Sequence, residues 1–147
     1  MVKLNLPPCN LNLREENGKI EVFDAIRKRY VRLTPEEWVR QHFIHYLTGG
    51  LGYPRSLISC ESGLKYNDLQ KRTDIVVYDR AGAPFMIVEC KAPDVKLSQA
   101  AFDQAACYNA AIRARYLAIT NGLVHYCCHI DSETGKIEFL NAMPAFR

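Results

Sequence analysis

Two short apolar stretches, each carrying an acid, do most to limit what this chain can fold into. The first is Thr73-Asp74-Ile75-Val76-Val77-Tyr78 and the second is Phe85-Met86-Ile87-Val88-Glu89-Cys90-Lys91. Between them lies Asp79-Arg80-Ala81-Gly82-Ala83-Pro84, a run with the composition of a turn. The stretches therefore read as neighbouring strands, and the unbroken run from Phe85 to Val88 marks the second as buried. Side chains alternate across a strand, so Glu89 and Lys91 project from one face and Cys90 from the other. Once the strands pair, Asp74 meets Glu89 at one end of the sheet. Charges on otherwise apolar strands are costly unless they pair or hold a metal. A surface salt bridge of little worth is the plain alternative, but the buried character of the strand speaks against it.

Two converging carboxylates repel each other unless a divalent cation sits between them. Hard oxygen donors suit Mg²⁺ or Mn²⁺, which usually keep several waters. The expected ligands are Asp74, Glu89 and the backbone carbonyl of Cys90. Lys91 is then placed to orient an attacking water, to help it lose a proton, or to stabilise charge on a phosphate. The reaction expected of such a set is metal-assisted phosphodiester cleavage.

The rest of the chain frames this pair. Residues 1–18 read as loop, with Pro7-Pro8 and Asn17-Gly18, and one or two short strands follow around Ile20 to Phe23 and Tyr30 to Leu33. Thr34 is a natural N-cap, with Pro35 at the first helical position and Glu37 three residues after the cap. Val39, Phe43 and Leu47 continue at helical spacing until Gly49-Gly50. Ser56 to Glu61 reads as a strand, Ser98 caps an alanine-rich helix over roughly 99–114, and Tyr116 to Thr120 is a buried-type strand. Asn121-Gly122 turns the chain into a strand over 123–130, and a hairpin turn over 132–136 leads into Ile137 to Leu140. The expected fold class is α/β, with one central mixed sheet flanked by helices.

At 147 residues, 48% of them apolar, the chain suits one globular domain with a real core. No stretch approaches the length of a membrane span, and the opening Met1 to Pro8 is too short in apolar residues for a signal peptide, so a cytoplasmic location is expected. The six cysteines form no C-x-x-C pair. Cys90 and Cys107 fall inside apolar elements, so reduced thiols are expected. Net charge is +3 and the pI near 8.5, which permits nucleic-acid binding without arguing for it. Arg27, Lys28, Arg29 and Arg32 read as a solvated edge or turn, whereas Lys71 and Arg72 adjoin Asp74 and are expected to meet DNA.

Asp74, Glu89 and Lys91 resemble the core of the PD-(D/E)xK nuclease superfamily, with Arg72-Thr73-Asp74 in place of its Pro-Asp pair. Further segments sharpen the likeness: Phe23 to Lys28, Leu33 to Gln41, Gly52-Tyr53-Pro54, Lys71 to Asp74 and Thr120-Asn121-Gly122. Together they are similar to the N-terminal nuclease domain of type I restriction enzyme R subunits, over about residues 20–130. The resemblance implies a restriction-endonuclease-like fold with an αβββαβ core. On it, 1–147 form a single domain in which 1–33 are an N-terminal loop and short-strand extension. It also implies Mg²⁺-dependent (or Mn²⁺-dependent) endonuclease action on DNA. Implied partners are a second copy of the chain, or helicase and specificity subunits of a restriction complex. Gln104 and Tyr108 share a helix face and match the Q-x-x-x-Y motif of RecB-like members, where these residues help engage DNA or orient the lysine. Glu37 is the expected helical acid of the site, with Glu36 as the alternative and a capping box as the structural reading. Arg40 and Gln41 are expected to touch phosphate or to brace the sheet.

No G-x-x-x-x-G-K-[ST] loop is present, so no helicase motor is expected within these residues. Cys127-Cys128-His129 lacks a matching pair at zinc-finger spacing, no four cysteines suit an iron–sulfur cluster, and no nucleophile motif accompanies His42, His45 or His125. A non-catalytic DNA-binding or assembly module is the second reading, and a nuclease acting on RNA the third.

Overall fold

The computed structural model describes every residue except 63, 64, 67, 68, 71 and 72. A small antiparallel sheet comes first, built in chain order from β1 (Leu13–Glu16), β2 (Lys19–Asp24) and β3 (Arg29–Arg32). β1 corrects the expectation of loop up to residue 18. All four of its residues are exposed, so no apolar alternation announces it. Its sequence signal is Asn17-Gly18, which takes φ 54° and 77° in the two-residue connection that such pairs favour.

α1 (Pro35–His45) starts as its sequence predicts: the Thr34 side-chain oxygen accepts a bond from the Glu37 N–H at 3.0 Å, and Pro35 opens the first turn. The helix does not stay regular up to the glycines. It widens into a π-turn over Tyr46–Gly50, where the Leu51 N–H reaches back five residues to the Tyr46 carbonyl. A 3-10 turn (Arg55–Leu57) then leads into β4 (Ile58–Ser62). The short strands β5 (Lys65–Tyr66) and β6 (Leu69–Gln70) precede β7 (Thr73–Tyr78) and β8 (Pro84–Cys90). α2 (Gln99–Ile112) is capped by Ser98, which accepts from the Ala101 N–H, and ends at Arg113 in the left-handed region. β9 (Tyr116–Thr120), β10 (His125–Ile130) and β11 (Ile137–Leu140) complete the chain. β10 starts two residues later than expected because the Asn121 side chain holds the N–H groups of Leu123 and Val124 in the turn.

The central sheet runs β11-β10-β9-β8-β7-β4. Its neighbours are antiparallel except β8 and β9, which lie parallel because α2 carries the chain back between them. α1 buries Val39, Phe43 and Ile44, and the π-turn after it Leu47, against one face, where Ile75, Val77, Met86, Val88 and Cys90 point. α2 covers the other face, packing Phe102 and Ala105 on Ile87, Leu117, Ile119 and Cys128. The result is a mixed α/β arrangement of three layers.

Cys90 is buried as expected. Cys107 is not, because it lies on the side of α2 away from Phe102 and Ala105. Gly122, at φ 85°, sits where the N-terminal segment crosses the sheet: the Asn5 N–H donates to its carbonyl at 2.8 Å, and a Cβ there would lie 2.7 Å from a Leu4 methyl and 3.1 Å from one of Val39. Among the described residues, no helix is long and apolar enough to cross a membrane.

Candidate active site

The pairing of β7 with β8 runs Val77 to Met86, Val76 to Ile87 and Ile75 to Val88. One step further sets Asp74 opposite Glu89, as the alternation of the two strands requires. Asp74 Oδ2 accepts a bond from the backbone N–H of Cys90 at 2.7 Å, so a side chain ties off the end of the strand pair. Its Oδ1 accepts from Arg40 Nη2 at 2.6 Å, reaching across to α1. On β8, Glu89 Oε1 lies 3.3 Å from Lys91 Nζ, while Cys90 between them is buried toward α1. The Lys91 side chain keeps 32% of its surface exposed and Glu89 keeps 19%, so water and a ligand reach both.

α1 contributes two acids with opposite fates. Glu37 is buried, and its carboxylate accepts from Arg27 Nη2, Arg40 Nη1 and Gln41 Nε2. Glu36 is 47% exposed and lies 3.1 Å from Arg40. Burial first, and repulsion from Asp74 second, push the Glu36 carboxyl above its ordinary value, while Arg40 and Lys91 draw it back. Glu36 is thus the helical acid that feels Asp74 and Lys91. The resemblance named Glu37 as the helical acid, with Glu36 as the alternative; of the two, Glu37 turns into the buried network and Glu36 stays open to water.

Behind the strand ends stands a buried network invisible at the sequence level. Asp24, fully buried, accepts from the backbone N–H groups of Ile26 and Arg27, from Arg27 Nε at 2.6 Å and from Gln41 Nε2 at 3.0 Å. Burial alone would raise its carboxyl, but the Arg27 and Gln41 bonds outweigh that and hold it below the ordinary value. Arg27 passes on to Glu37, Glu37 to Arg40 and Arg40 to Asp74. Charge of alternating sign therefore runs from the β2–β3 turn to the strand end. Burial works against the Arg40 guanidinium, yet bonding to Asp74 and the charge of Glu37 hold it charged even more firmly than usual.

Arg40 and Gln41 are both buried and bond to Asp74, Glu37 and Asp24, contacts that brace the helix against the sheet. Tyr108 is buried on α2; burial first and the charge of Glu89 second push its phenol up, so it stands near Glu89. Gln104, one turn earlier, is exposed. Lys71 and Arg72 lie outside the described residues. The structure brings Asp74, Glu89 and Lys91 together at one end of β7 and β8, with Tyr108 on one side and Glu36 with Arg40 on the other.

Residues 35–144 match the family described as type I restriction enzyme R protein N terminus. That span contains both helices and the whole central sheet. No curated protein matches the chain. Among solved structures, a fragment assigned to the HsdR subunit of a type I restriction enzyme from Vibrio vulnificus YJ016 is similar, with a TM-score of 0.55 and 22% identity over 77% of this chain. The chain spans about a quarter of that structure's length, 24%. At such identity the likeness speaks for the fold, a six-stranded mixed sheet with its helices. By the family match over three quarters of its length, the chain belongs to the family of type I restriction enzyme R protein N-terminal regions.

Proposed function

We propose that this chain is a metal-dependent endonuclease of the PD-(D/E)xK kind, with a restriction-endonuclease-like core, that hydrolyses DNA phosphodiester bonds within a restriction complex. The observation that carries the reading is the meeting of Asp74, Glu89 and Lys91 at one partly exposed strand end. Family membership supports it independently.

The donor chemistry agrees with a magnesium-type ion. Among the described residues, no three His, Cys, Asp or Glu side chains form a ready metal cluster. A site of two carboxylates, the Cys90 carbonyl and several waters needs no third acid. Each Asp74 oxygen accepts one protein hydrogen bond and keeps a lone pair. When bound, the ion supplies positive charge against the phosphate and acidifies a nearby water. Asp74 and Glu89 hold their oxygens at the strand end, and Cys90 fixes Asp74 through its N–H. Lys91 is free enough to meet the phosphate and to stabilise charge as it develops there. Tyr108 limits water beside Glu89, and Glu36 adds negative charge from the helix.

One observation favours a second reading. Arg40 already neutralises part of Asp74, as it would in a non-catalytic DNA-binding or assembly module that keeps only the fold. Calorimetric titration with Mn²⁺ separates the two. A nuclease binds the ion in a manner that Asp74→Ala or Glu89→Ala abolishes, and it cleaves plasmid DNA in the presence of Mn²⁺. Heats of binding that neither substitution alters would leave the module as the better account.

A further inference from the structure

Beside the strand end lies a cleft of about 740 Å³, bounded by Arg27, Arg29, Arg32, Glu36, Arg40 and Ala92. Ala92 follows Lys91 directly, and Glu36 and Arg40 are the α1 groups that face Asp74, so the cleft opens onto the proposed active site. Its opposite wall is β3, the outer strand of the N-terminal sheet, on whose far side no strand pairs among the described residues. This sheet precedes the residues matched by the family.

The arginines of the cleft are not equivalent. Arg27 and Arg40 are neutralised by Asp24, Glu37 and Asp74. Arg29 and Arg32 are exposed, and the acids opposite them in the β2–β3 register are already taken. Glu21, opposite Arg32, pairs with Arg14 at 2.9 Å, and Asp24, opposite Arg29, is filled by Arg27 and Gln41. Among the described residues neither has a carboxylate within ion-pair reach. They stand three residues apart on β3, so their side chains leave opposite faces of this edge strand and border the cleft at two places rather than converge on one phosphate.

We infer that β3 is the substrate-holding wall of this site: Arg29 and Arg32 each bind a backbone phosphate of DNA whose scissile bond lies at Asp74, Glu89 and Lys91. The inference rests on the nuclease reading above for its choice of DNA. An acidic segment of a partner protein is the competing occupant, and it predicts no change in DNA affinity when the two arginines are removed.

The test measures binding of the whole chain to a fluorescein-labelled DNA duplex by anisotropy, with Ca²⁺ in place of Mg²⁺, between 50 and 200 mM NaCl (roughly the range over which phosphate contacts are screened). R29A/R32A should bind about tenfold more weakly at the low-salt end, and the slope of log affinity against log salt should flatten by about 2. R29K/R32K, which keeps both charges, should recover most of that slope. Wild-type affinity and slope in R29A/R32A would overturn the inference. So would a lysine variant as weak and as flat as the alanine one, since that outcome marks damage to the sheet rather than lost charge. Cleavage of plasmid DNA with Mn²⁺ keeps the two readings apart. Undiminished binding by R29A/R32A with active wild-type cleavage removes the β3 wall and leaves the nuclease; weakened binding with an inert wild type supports the wall and removes the nuclease.

Discussion

Two groups of acids meet at Arg40, and they are built in opposite ways. Around Asp24 and Glu37 every carboxylate oxygen has two donors, supplied by Arg27, Gln41, Arg40 and backbone N–H groups, and solvent is excluded. Around Asp74, Glu89 and Glu36 each acid has fewer donors and part of its surface open to water. A fully satisfied buried network stiffens the structure, and breaking one member leaves an uncompensated charge. Acids with acceptor capacity left over can still take a ligand. The same residue types thus serve as frame in one place and as reagent in the other, with Arg40 orienting the second from the first.

The comparison is easiest to break where its consequences are largest. If the open group is the reagent, Asp74→Asn should lower Mn²⁺-dependent cleavage by on the order of 10³-fold, scored on supercoiled plasmid. A rate within tenfold of wild type would erase the distinction. If the closed group is the frame, Arg27→Met should cost about 3–5 kcal/mol in urea unfolding, because it strands Asp24 and Glu37 without their shared cation.

Acid titration sharpens the same point. The Asp24 carboxyl lies below its ordinary value of 3.8 in the folded chain. The folded form therefore binds this proton less readily than the unfolded form. The stability that Asp24 provides is complete above 3.8 and is lost as pH falls through the lower folded value. Urea midpoints of wild type and Asp24→Asn should accordingly differ at neutral pH and draw together under acid; a gap that stays constant would assign no role to the charge. Smaller effects complete the series. Thr34→Ala removes the α1 cap and should cost about 1 kcal/mol. Lys91→Ala, which breaks only a partly exposed pair, should cost less than about 1 kcal/mol in stability while cleavage falls far more steeply.

What the sequence disclosed was local or periodic. Thr34, Pro35 and Glu37 mark the start of α1 because capping is a contact within one turn. Asp74 and Glu89 can be matched because the short turn-like connection between the two apolar strands fixes how they pair. The network escaped because its contacts leap from Arg27 to Glu37, from Gln41 back to Asp24 and from Arg40 to Asp74. Spacing carries no trace of such pairings, and a run of basic residues looks like surface until a helix is laid over part of it. Even then the run divides, with Arg27 buried in ion pairs and Arg29 and Arg32 left outside. Adjacent acids on α1 were indistinguishable for a related reason: a rotation of about 100° per residue sends Glu36 outward and Glu37 inward.

Gly122 has a reach beyond its own turn. The hydrogen that stands where other residues carry a methyl lets the side chains of Leu4 and Val39, members of one core, both close in on the turn. Any larger residue there would press on Leu4 and Val39 and strain a turn held at φ 85°. That crowding would fall two residues beyond Thr120, whose carbonyl takes the Lys91 N–H at 2.8 Å, so an absent carbon keeps room beside the groups that would perform the chemistry.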